Sequence, residues 1–243
     1  MSQAIEIKEL TKQYDSKRAV DMVSLSIQEG ELFALLGVNG AGKTTLIKML
    51  SCLTKPTSGD ALLFGKSIIT EPQQVKRLIA VSPQETAIAP NLTVRENLEL
   101  MARVHGFSKE KTKQKTDELL HKFSLHTFEK QRSKTLSGGW KRRLSIAMAL
   151  ISEPKILFLD EPTLGLDVLA RRELWKVIEK LKETTTIILT THYLEEAEAL
   201  SDRICIMKDG QIKAIGSASE LIEKANVTRF EDAFINLVED GDN

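Results

Sequence analysis

Residues 31–45 read ELFALLGVNGAGKTT, and this stretch decides the fold. Its first part is an apolar run that ends at Gly37, which is typical of a buried strand. Residues 37–44 match the pattern GxxxxGK[ST], and the segment TTLIKML that follows opens a helix. The glycines let main-chain amides turn toward phosphate oxygens, and the helix N-terminus adds positive potential. We therefore predict a buried strand, a phosphate-binding loop and a helix, in that order.

The side chains of this loop indicate how a nucleotide would be held. We expect Lys43 to reach the β- and γ-phosphates and Thr44 to place its hydroxyl on Mg²⁺. A glycine-rich turn without a ligand is the alternative, but the strand before the loop and the helix after it are the context that phosphate binding requires. The predicted nucleotide-binding residues of the loop are Gly37, Val38, Asn39, Gly40, Ala41, Gly42, Lys43, Thr44 and Thr45.

The composition narrows the class of protein. The chain has 243 residues, with 34 Lys and Arg against 34 Asp and Glu, so its formal net charge is zero. Because a nucleic-acid surface needs a basic excess or a basic face, we predict no nucleic-acid partner. Cys52 and Cys205 lie far apart and outside any CxxC pattern, which is typical of a reducing compartment. The charged N-terminus is unlike a signal peptide and no apolar run approaches the roughly 20 residues that span a bilayer, so we expect a cytoplasmic protein.

Further apolar runs predict a parallel sheet. They lie at 78–81, 156–159 and 186–189, and helical patterns separate them, so the strands are expected to be parallel with crossover helices. Residues 5–8 alternate apolar and polar side chains, which indicates an edge-like strand. Asp-Gly at 209–210, between two apolar runs, predicts a hairpin. The chain is therefore expected to have an α/β fold.

Two other parts of the chain have helical patterns. Residues 86–136 show little strand pattern, while a capping box at 93–96 and a capping Ser108 open two helices. This predicts a helical subdomain inserted into a domain of residues 1–225. Residues 226–243 form a short tail whose capping box at 228–231 predicts a helix docked on the parent domain; an oligomer contact is the alternative.

Polar side chains follow three of the predicted strands. Asp160 and Glu161 end one strand, Gln84 another and His192 a third. Because α/β sheets bind ligands at the carboxyl ends of their strands, these side chains should meet near the phosphate-binding loop. We expect Asp160 to hold Mg²⁺ through water, Gln84 to bring its amide oxygen to Mg²⁺ or to the attacking water, and Glu161 to orient or deprotonate that water. Any one of them alone is more typical of a structural residue than of a site.

Taken together, these residues resemble the ATP-binding cassette (ABC) family of ATPase subunits, over about residues 3–216. Seven matches occur in the order of the family's motifs, and such an ordered set is highly specific. They are the adenine-stacking aromatic at Tyr14, the Walker A loop at 37–45, the Q-loop glutamine Gln84, the signature LSGGW at 136–140, Walker B at 156–162, the D-loop LGLD at 164–167 and the switch histidine His192.

The resemblance implies a P-loop NTPase fold with a mixed sheet core, an N-terminal antiparallel β subdomain and the inserted α-helical subdomain. It also implies Mg²⁺-dependent hydrolysis of ATP, in which Glu161 activates water while Lys43 and His192 contact the γ-phosphate. Two such ATPase subunits would face head to tail, as a homodimer or a heterodimer. Ser137, Gly138 and Gly139 of one chain would then close over the ATP of the other. A separate transmembrane permease subunit would hold the chain on the inner face of the membrane.

The sequence departs from the family pattern at two positions. Val38 stands where Pro is frequent, with little expected effect because main-chain amides bind the phosphates. Trp140 stands where Gln is commonest, at the start of a helical run from 140 to 151. Its indole is expected to pack and fix the angle of that helix, with direct nucleotide contact as the alternative.

The sequence does not identify the transported substrate, and it is compatible with three functions. The sequences of residues 162–178 and 191–212 are most similar to those of export subunits of the drug- and antibiotic-resistance type. A soluble ABC ATPase acting on nucleic acid or the ribosome is the second possibility, although no sustained heptads separate Gly42 from Leu136. A non-catalytic regulatory cassette is the third, and the intact set of Lys43, Asp160, Glu161 and His192 argues against it.

Overall fold

In the computed structural model of the chain, which describes residues 2–239, two β-sheets form the framework. The strands are β1 (Gln3–Tyr14), β2 (Lys17–Gln28), β3 (Leu32–Leu36), β4 (Ser58–Leu63), β5 (Lys66–Ser67), β6 (Ile79–Ser82), β7 (Ile156–Asp160), β8 (Thr186–Thr191), β9 (Arg203–Lys208) and β10 (Gln211–Gly216). The helices are α1 (Lys43–Leu50), α2 (Pro72–Leu78), α3 (Val94–Val104), α4 (Lys109–Lys122), α5 (Gly138–Leu150), α6 (Val168–Leu181), α7 (Leu194–Leu200), α8 (Ala218–Lys224) and α9 (Phe230–Glu239).

The larger sheet is the mixed core that the apolar runs predict. Its strand order is β10-β9-β3-β8-β7-β6, and every pair is parallel except the hairpin of β9 with β10. All residues of β3, β7 and β8 are buried, because apolar side chains cover both faces of the sheet. The predicted hairpin is confirmed: Asp209 and Gly210 both have positive φ, 49° and 79°, as a two-residue turn between twisted strands requires.

The smaller sheet is antiparallel, with the order β2-β1-β4-β5. It confirms the N-terminal β subdomain but corrects the position of residues 5–8, which lie in β1 between β2 and β4 and not at an edge. The alternation arises because one face of an antiparallel sheet packs on the core while the other faces water. Ile5 and Ile7 belong to the buried cluster that joins this sheet to the larger one.

The inserted helical subdomain has the predicted caps. Thr93 and Glu96 form a reciprocal capping box at the start of α3, and the Ser108 side chain accepts a hydrogen bond from Lys111 N at the start of α4. Short 3₁₀ turns at His126–Phe128 and Ser133–Thr135 lead into α5. This helix begins at Gly138, two residues before the predicted start at Trp140, because both glycines adopt helical backbone after an extended Ser137.

The C-terminal helix α9 docks on the parent domain, as predicted. Buried Phe230 joins the cluster formed by residues of β3, α7, β9, β10 and α8, and the less buried Phe234, Leu237 and Val238 pack around it. Ala233 of the same helix is also buried. The helix begins at Phe230, one residue later than a capping box at 228–231 would place it, and Glu231 forms an ion pair with Arg229. The tail boundary at residue 226 stays a prediction, and residues 240–243 lie outside the described part of the chain.

Candidate active site

The loop between β3 and α1 has the close backbone contacts that its glycines permit. A Cβ atom at Gly37 would lie 2.3 Å from the Met207 carbonyl oxygen, so no side chain fits there. Gly42 has φ of 104°, and a Cβ atom there would lie 2.4 Å from the Ala19 carbonyl oxygen. These two glycines bring the loop against β9 and the start of β2. The N-terminus of α1 therefore opens into a cleft, which Gly42, Lys43 and Thr44 help to line.

That cleft has a volume of 470 Å³ and collects most of the predicted nucleotide-binding residues. Gly37 and Val38 belong to the loop but do not line the cleft, and Lys17, Ala19 and Leu164 line it without having been predicted. The predicted residues that line it are Tyr14, Asn39, Gly40, Ala41, Gly42, Lys43, Thr44, Thr45, Gln84, Glu161 and His192.

Lys43 places its ammonium group at the base of the cleft. Its Nζ donates hydrogen bonds to the carbonyl oxygens of Gly37 at 2.6 Å and Val38 at 3.3 Å, and it lies 3.8 Å from Glu161 Oε1. Burial lowers the pKa of Lys43, while the carboxylates of Glu161 and Asp160 oppose that shift. The only charge that this loop contributes is therefore held between carbonyl oxygens and an acidic side chain.

Thr44 and Asp160, the predicted metal ligands from α1 and β7, are adjacent. The Thr44 hydroxyl lies 3.3 Å from Asp160 Oδ1, and the same Oδ1 accepts a hydrogen bond of 2.6 Å from the Thr190 hydroxyl. Thr44 lines the cleft, while Asp160 lies behind it and is buried. A carboxylate beside such a hydroxyl is the kind of oxygen site that suits Mg²⁺, which keeps several waters and binds phosphate oxygens. The residues present thus fit the predicted metal.

Glu161 and His192 meet in the same cleft. Glu161 Oε2 lies 2.8 Å from His192 Nδ1, the distance of a hydrogen bond in which the ring N–H donates to the carboxylate. Glu161 is 8% exposed and has φ of 48°, an uncommon left-handed conformation for this residue type. Its amide donates to the Thr190 carbonyl and hydroxyl oxygens. Burial raises the pKa of Glu161 despite the attraction of His192 and Lys43, which makes the carboxylate a better proton acceptor.

Tyr14 and Gln84 lie at the margins of the same cleft. Tyr14 ends β1, is 47% exposed, and has Lys12 Nζ 4.9 Å from its ring centre. This leaves a ring available for stacking. Gln84 is exposed and comes two residues after β6 ends at Ser82, so it belongs to the loop and not to the strand itself. Its side chain lines the cleft.

The segment Leu136–Trp140 is separate from this cleft. Ser137 and Gly139 line a smaller cavity of 170 Å³ at the start of α5. Ser137 occupies the N-cap position, but its hydroxyl makes no capping hydrogen bond. A chain thus presents its own phosphate loop and its LSGG turn in two different places.

Trp140 packs within its own chain. Its ring lies 4.6 Å from that of Phe128, and the Arg143 guanidinium is 4.6 Å from its centre. Arg143 in turn pairs with Glu173 on α6. These contacts support the packing interpretation of Trp140.

Sequence reasoning missed Thr190, which contacts both Asp160 and Glu161. The signal was available: Thr190 lies two residues before His192 in the predicted strand, and residues two apart on a strand share a face. A threonine in a β-branched run is nevertheless typical of an ordinary strand residue, so its spacing alone does not mark it as part of a site.

The fold and the cleft together define the class of this protein: a P-loop ATPase domain with an inserted helical subdomain. The profile of the ABC transporter family matches residues 20–164. The chain belongs to the ABC transporter family.

Two relatives illustrate the match. The chain is 41% identical over 221 residues to the daunorubicin/doxorubicin resistance ATP-binding protein DrrA of Streptomyces peucetius, covering 90% of this chain and 67% of that protein. It is 41% identical over 220 residues to the Nod factor export ATP-binding protein I of Burkholderia thailandensis, covering 90% and 72%.

A solved structure gives the same family. The dimeric structure of an ATP-binding cassette in a post-hydrolysis state, bound to ADP and Pi, superposes with a TM-score of 0.78 at 28% identity, covering 88% of this chain and 98% of that one. The resemblance inferred from the motifs and the predicted fold class are confirmed. The chain is an ATP-binding and ATP-hydrolysing subunit of an ABC transporter.

Proposed function

We propose that this chain uses Mg²⁺-dependent ATP hydrolysis to power export through a separate membrane subunit. The observation that carries the proposal is the set of groups gathered at one cleft: Lys43 and the loop amides, Thr44 with Asp160 beside it, and the Glu161–His192 pair. In this arrangement positive groups face the phosphates and a buried carboxylate faces the attacking water. Positioning and charge stabilisation of this kind account for most of the catalysis in phosphoryl transfer.

The proposed chemistry assigns one task to each side chain. Water attacks the γ-phosphorus, a new P–O bond forms, and the bond to the β–γ bridging oxygen breaks, releasing ADP and phosphate. Glu161 accepts the proton that the water loses, and His192 holds that carboxylate through its Nδ1–H and contacts the γ-phosphate. Lys43 and the loop amides stabilise the charge on the β- and γ-phosphate oxygens.

Mg²⁺ would be held by Thr44 and Asp160, with Gln84 reaching the metal or the water from its loop. When bound, it supplies positive charge against the phosphate oxygens. Tyr14 would stack on the adenine ring at the exposed end of the cleft. Of these ligands, Thr44 and Asp160 are already within 3.3 Å of each other.

The proposed dimer follows from the position of the LSGG turn. Ser137, Gly138 and Gly139 lie outside the cleft of their own chain, so they would act on the ATP of a second subunit facing head to tail. The exposed start of α5 offers main-chain amides to an anion without the need for a charged side chain. The dimeric relative bound to ADP and Pi supports this assembly.

The membrane partner is proposed from the family and from one surface. Within residues 2–239, no helix is both long and apolar enough to cross a bilayer. The separate membrane subunit is proposed because the chain belongs to the ABC transporter family. Leu100 and Val104, four residues apart on α3, are 43% and 70% exposed. They offer an apolar surface, beyond the Q-loop, for a short helix of the permease. Export is proposed because the DrrA relative is named for drug resistance and the Nod factor relative for export.

The experiment is co-purification of the chain with its membrane partner, followed by identification of that partner and reconstitution of both in vesicles. We expect ATP hydrolysis by the pair and ATP-dependent movement of a substrate to the side opposite the ATPase. Glu161→Gln in the same vesicles should bind ATP and move nothing. If nucleic acid or ribosomes stimulated hydrolysis and no membrane protein co-purified, the transport proposal would be wrong.

A further inference from the structure

Arg142, on the second turn of α5, is buried among main-chain carbonyl groups. Only 4% of its surface is exposed. Its Nε donates to the Pro162 carbonyl at 2.7 Å and its Nη2 to the Asp160 carbonyl at 2.6 Å. Its Nη1 donates to the carbonyls of Pro83 at 2.5 Å and Gln84 at 3.2 Å. One guanidinium group thus joins two loops that follow two different strands, β6 and β7.

The carbonyls that accept these bonds lie next to residues of the proposed site. Asp160 and Pro162 flank Glu161, whose backbone is in the left-handed region at φ 48°. Such a conformation costs free energy for a residue with a side chain and persists when its surroundings fix it. Arg142 holds the carbonyl on each side of Glu161, while Thr190 holds its amide. The remaining Arg142 bonds fix the backbone at Gln84.

The charge of Arg142 is compatible with this position. Burial lowers its pKa to about 10, opposed by the nearby carboxylates of Asp160, Glu196 and Glu161, so the guanidinium is protonated at neutral pH. A planar fork of five N–H groups can satisfy four carbonyls in fixed directions, whereas a lysine ammonium has three donors on a flexible stem. The geometry therefore calls for Arg and not only for a positive charge.

We infer that Arg142 is a positioning residue, which fixes the Glu161 turn and the Gln84 loop in register so that the carboxylate and the amide face the same γ-phosphate. The inference rests on the roles proposed above for Glu161 and Gln84. Its four hydrogen bonds go to main-chain carbonyls, so it acts through the backbone beside the two reacting side chains. A displacement of about 1 Å in such a group costs about 10²-fold in rate.

The test compares Arg142→Lys, Arg142→Gln and Glu161→Gln, with Arg172→Lys on the exposed face of α6 as the matched control. All are measured as full-length chains with MgATP, in steady state and in single turnover. We expect Arg142→Lys to lower kcat by about 10²-fold while KM and ATP binding stay close to wild type, since the phosphate loop is untouched. Arg172→Lys should match wild type.

A double-mutant cycle separates positioning from a general structural defect. If Arg142 acts through Glu161, adding Arg142→Lys to Glu161→Gln should slow hydrolysis little further, whereas independent defects would multiply. Wild-type kcat in Arg142→Lys, or full multiplication in the double variant, would overturn the inference, as would failure of both Arg142 variants to fold. Near wild-type turnover in Glu161→Gln alone would instead remove the proposed role of Glu161.

Discussion

Replacing Glu161 by Gln tests the centre of the proposed site with the smallest change in shape. Gln has the same length, and its Oε1 can still accept a hydrogen bond from His192 Nδ1, now 2.8 Å from a carboxylate oxygen. What is lost is the negative charge and the capacity to take a proton. We expect the variant to bind ATP and to hydrolyse it far more slowly.

The effect on folding follows from the surroundings of the carboxylate. At the 3.8 Å between Glu161 and Lys43, the attraction between unit charges is about 4 kcal/mol at an effective dielectric constant of 20. Burying each ion costs several kcal/mol. The raised pKa of Glu161 indicates that the burial cost exceeds the attraction.

The raised pKa of Glu161 determines whether Glu161→Gln stabilises or destabilises the fold. A carboxyl whose pKa is higher in the folded state stabilises the fold below its unfolded pKa, and this contribution is lost as pH rises through the folded pKa. At pH 8 the ionised Glu161 therefore lowers stability relative to neutral Gln. We expect the melting temperature of Glu161→Gln at pH 8 to equal or exceed that of wild type, with the difference shrinking toward acid pH.

The effect on hydrolysis is much larger. A positioned general base typically contributes about 10²- to 10⁴-fold, so single-turnover cleavage of the γ-phosphate should slow by that factor. ATP affinity, measured by equilibrium dialysis, should stay near wild type because Lys43 and the loop amides are unchanged. Glu179→Gln, an exposed glutamate on α6, is the matched control and should cleave ATP at the wild-type rate. A Glu161→Gln variant that melts no lower and turns over ATP near the wild-type rate would refute the reasoning.

Three further predictions concern the neighbours of this site. Thr190→Val removes the hydroxyl that serves Asp160 and Glu161, so urea titration should show a loss of about 1–3 kcal/mol in unfolding free energy and hydrolysis should need more Mg²⁺; an unchanged Mg²⁺ dependence would contradict the assignment of Asp160. Trp140→Gln should keep hydrolysis, while loss of the aromatic and cation–π contacts lowers the unfolding free energy by about 1–3 kcal/mol. Ser137→Arg should leave ATP binding by the single chain intact and abolish turnover in the dimer. Loss of ATP binding in this variant would show that Ser137 acts on the cleft of its own chain. If Trp140→Gln lowered turnover as severely as Ser137→Arg, the indole would be part of the composite site.

The sequence predicted those parts of the site that depend on local pattern. The phosphate loop lies between a continuous apolar strand and a helix, and Asp160 lies where that kind of strand ends, so a short window was enough to identify each. The contact of Thr190 with Asp160 depends instead on the register of β7 with β8, which pairs these two residues. The interior position of β1 depends on pairing with β4, about fifty residues later. Such register is set by packing across the whole sheet and has no local signal.

The contacts of Arg142 likewise could not be predicted from the local sequence. Its sequence context, KRRL, is that of an ordinary basic helix surface, and of its three consecutive cations Arg142 and Arg143 are buried while Lys141 is partly exposed. The carbonyls that Arg142 bonds come from segments 18 to 59 residues away. Only the three-dimensional arrangement brings them together, and it does so at the one turn where Glu161 adopts left-handed backbone.

The N-terminus of α5 suggests how ATP would hold two chains together and how its hydrolysis would let them separate. Because the Ser137 hydroxyl makes no capping bond, the first amides of α5 are left to water or to an anion. A γ-phosphate held on the partner's loop would be such an anion, and a negative group at a helix N-terminus contributes about 0.3–1 kcal/mol when exposed and up to about 2 kcal/mol in favourable partly buried geometries. In a head-to-tail dimer this contribution arises at both sites. Cleavage leaves ADP on the phosphate loop but removes the γ-phosphate that α5 of the other chain would contact. The attraction between the two chains would therefore fall once ATP has been hydrolysed.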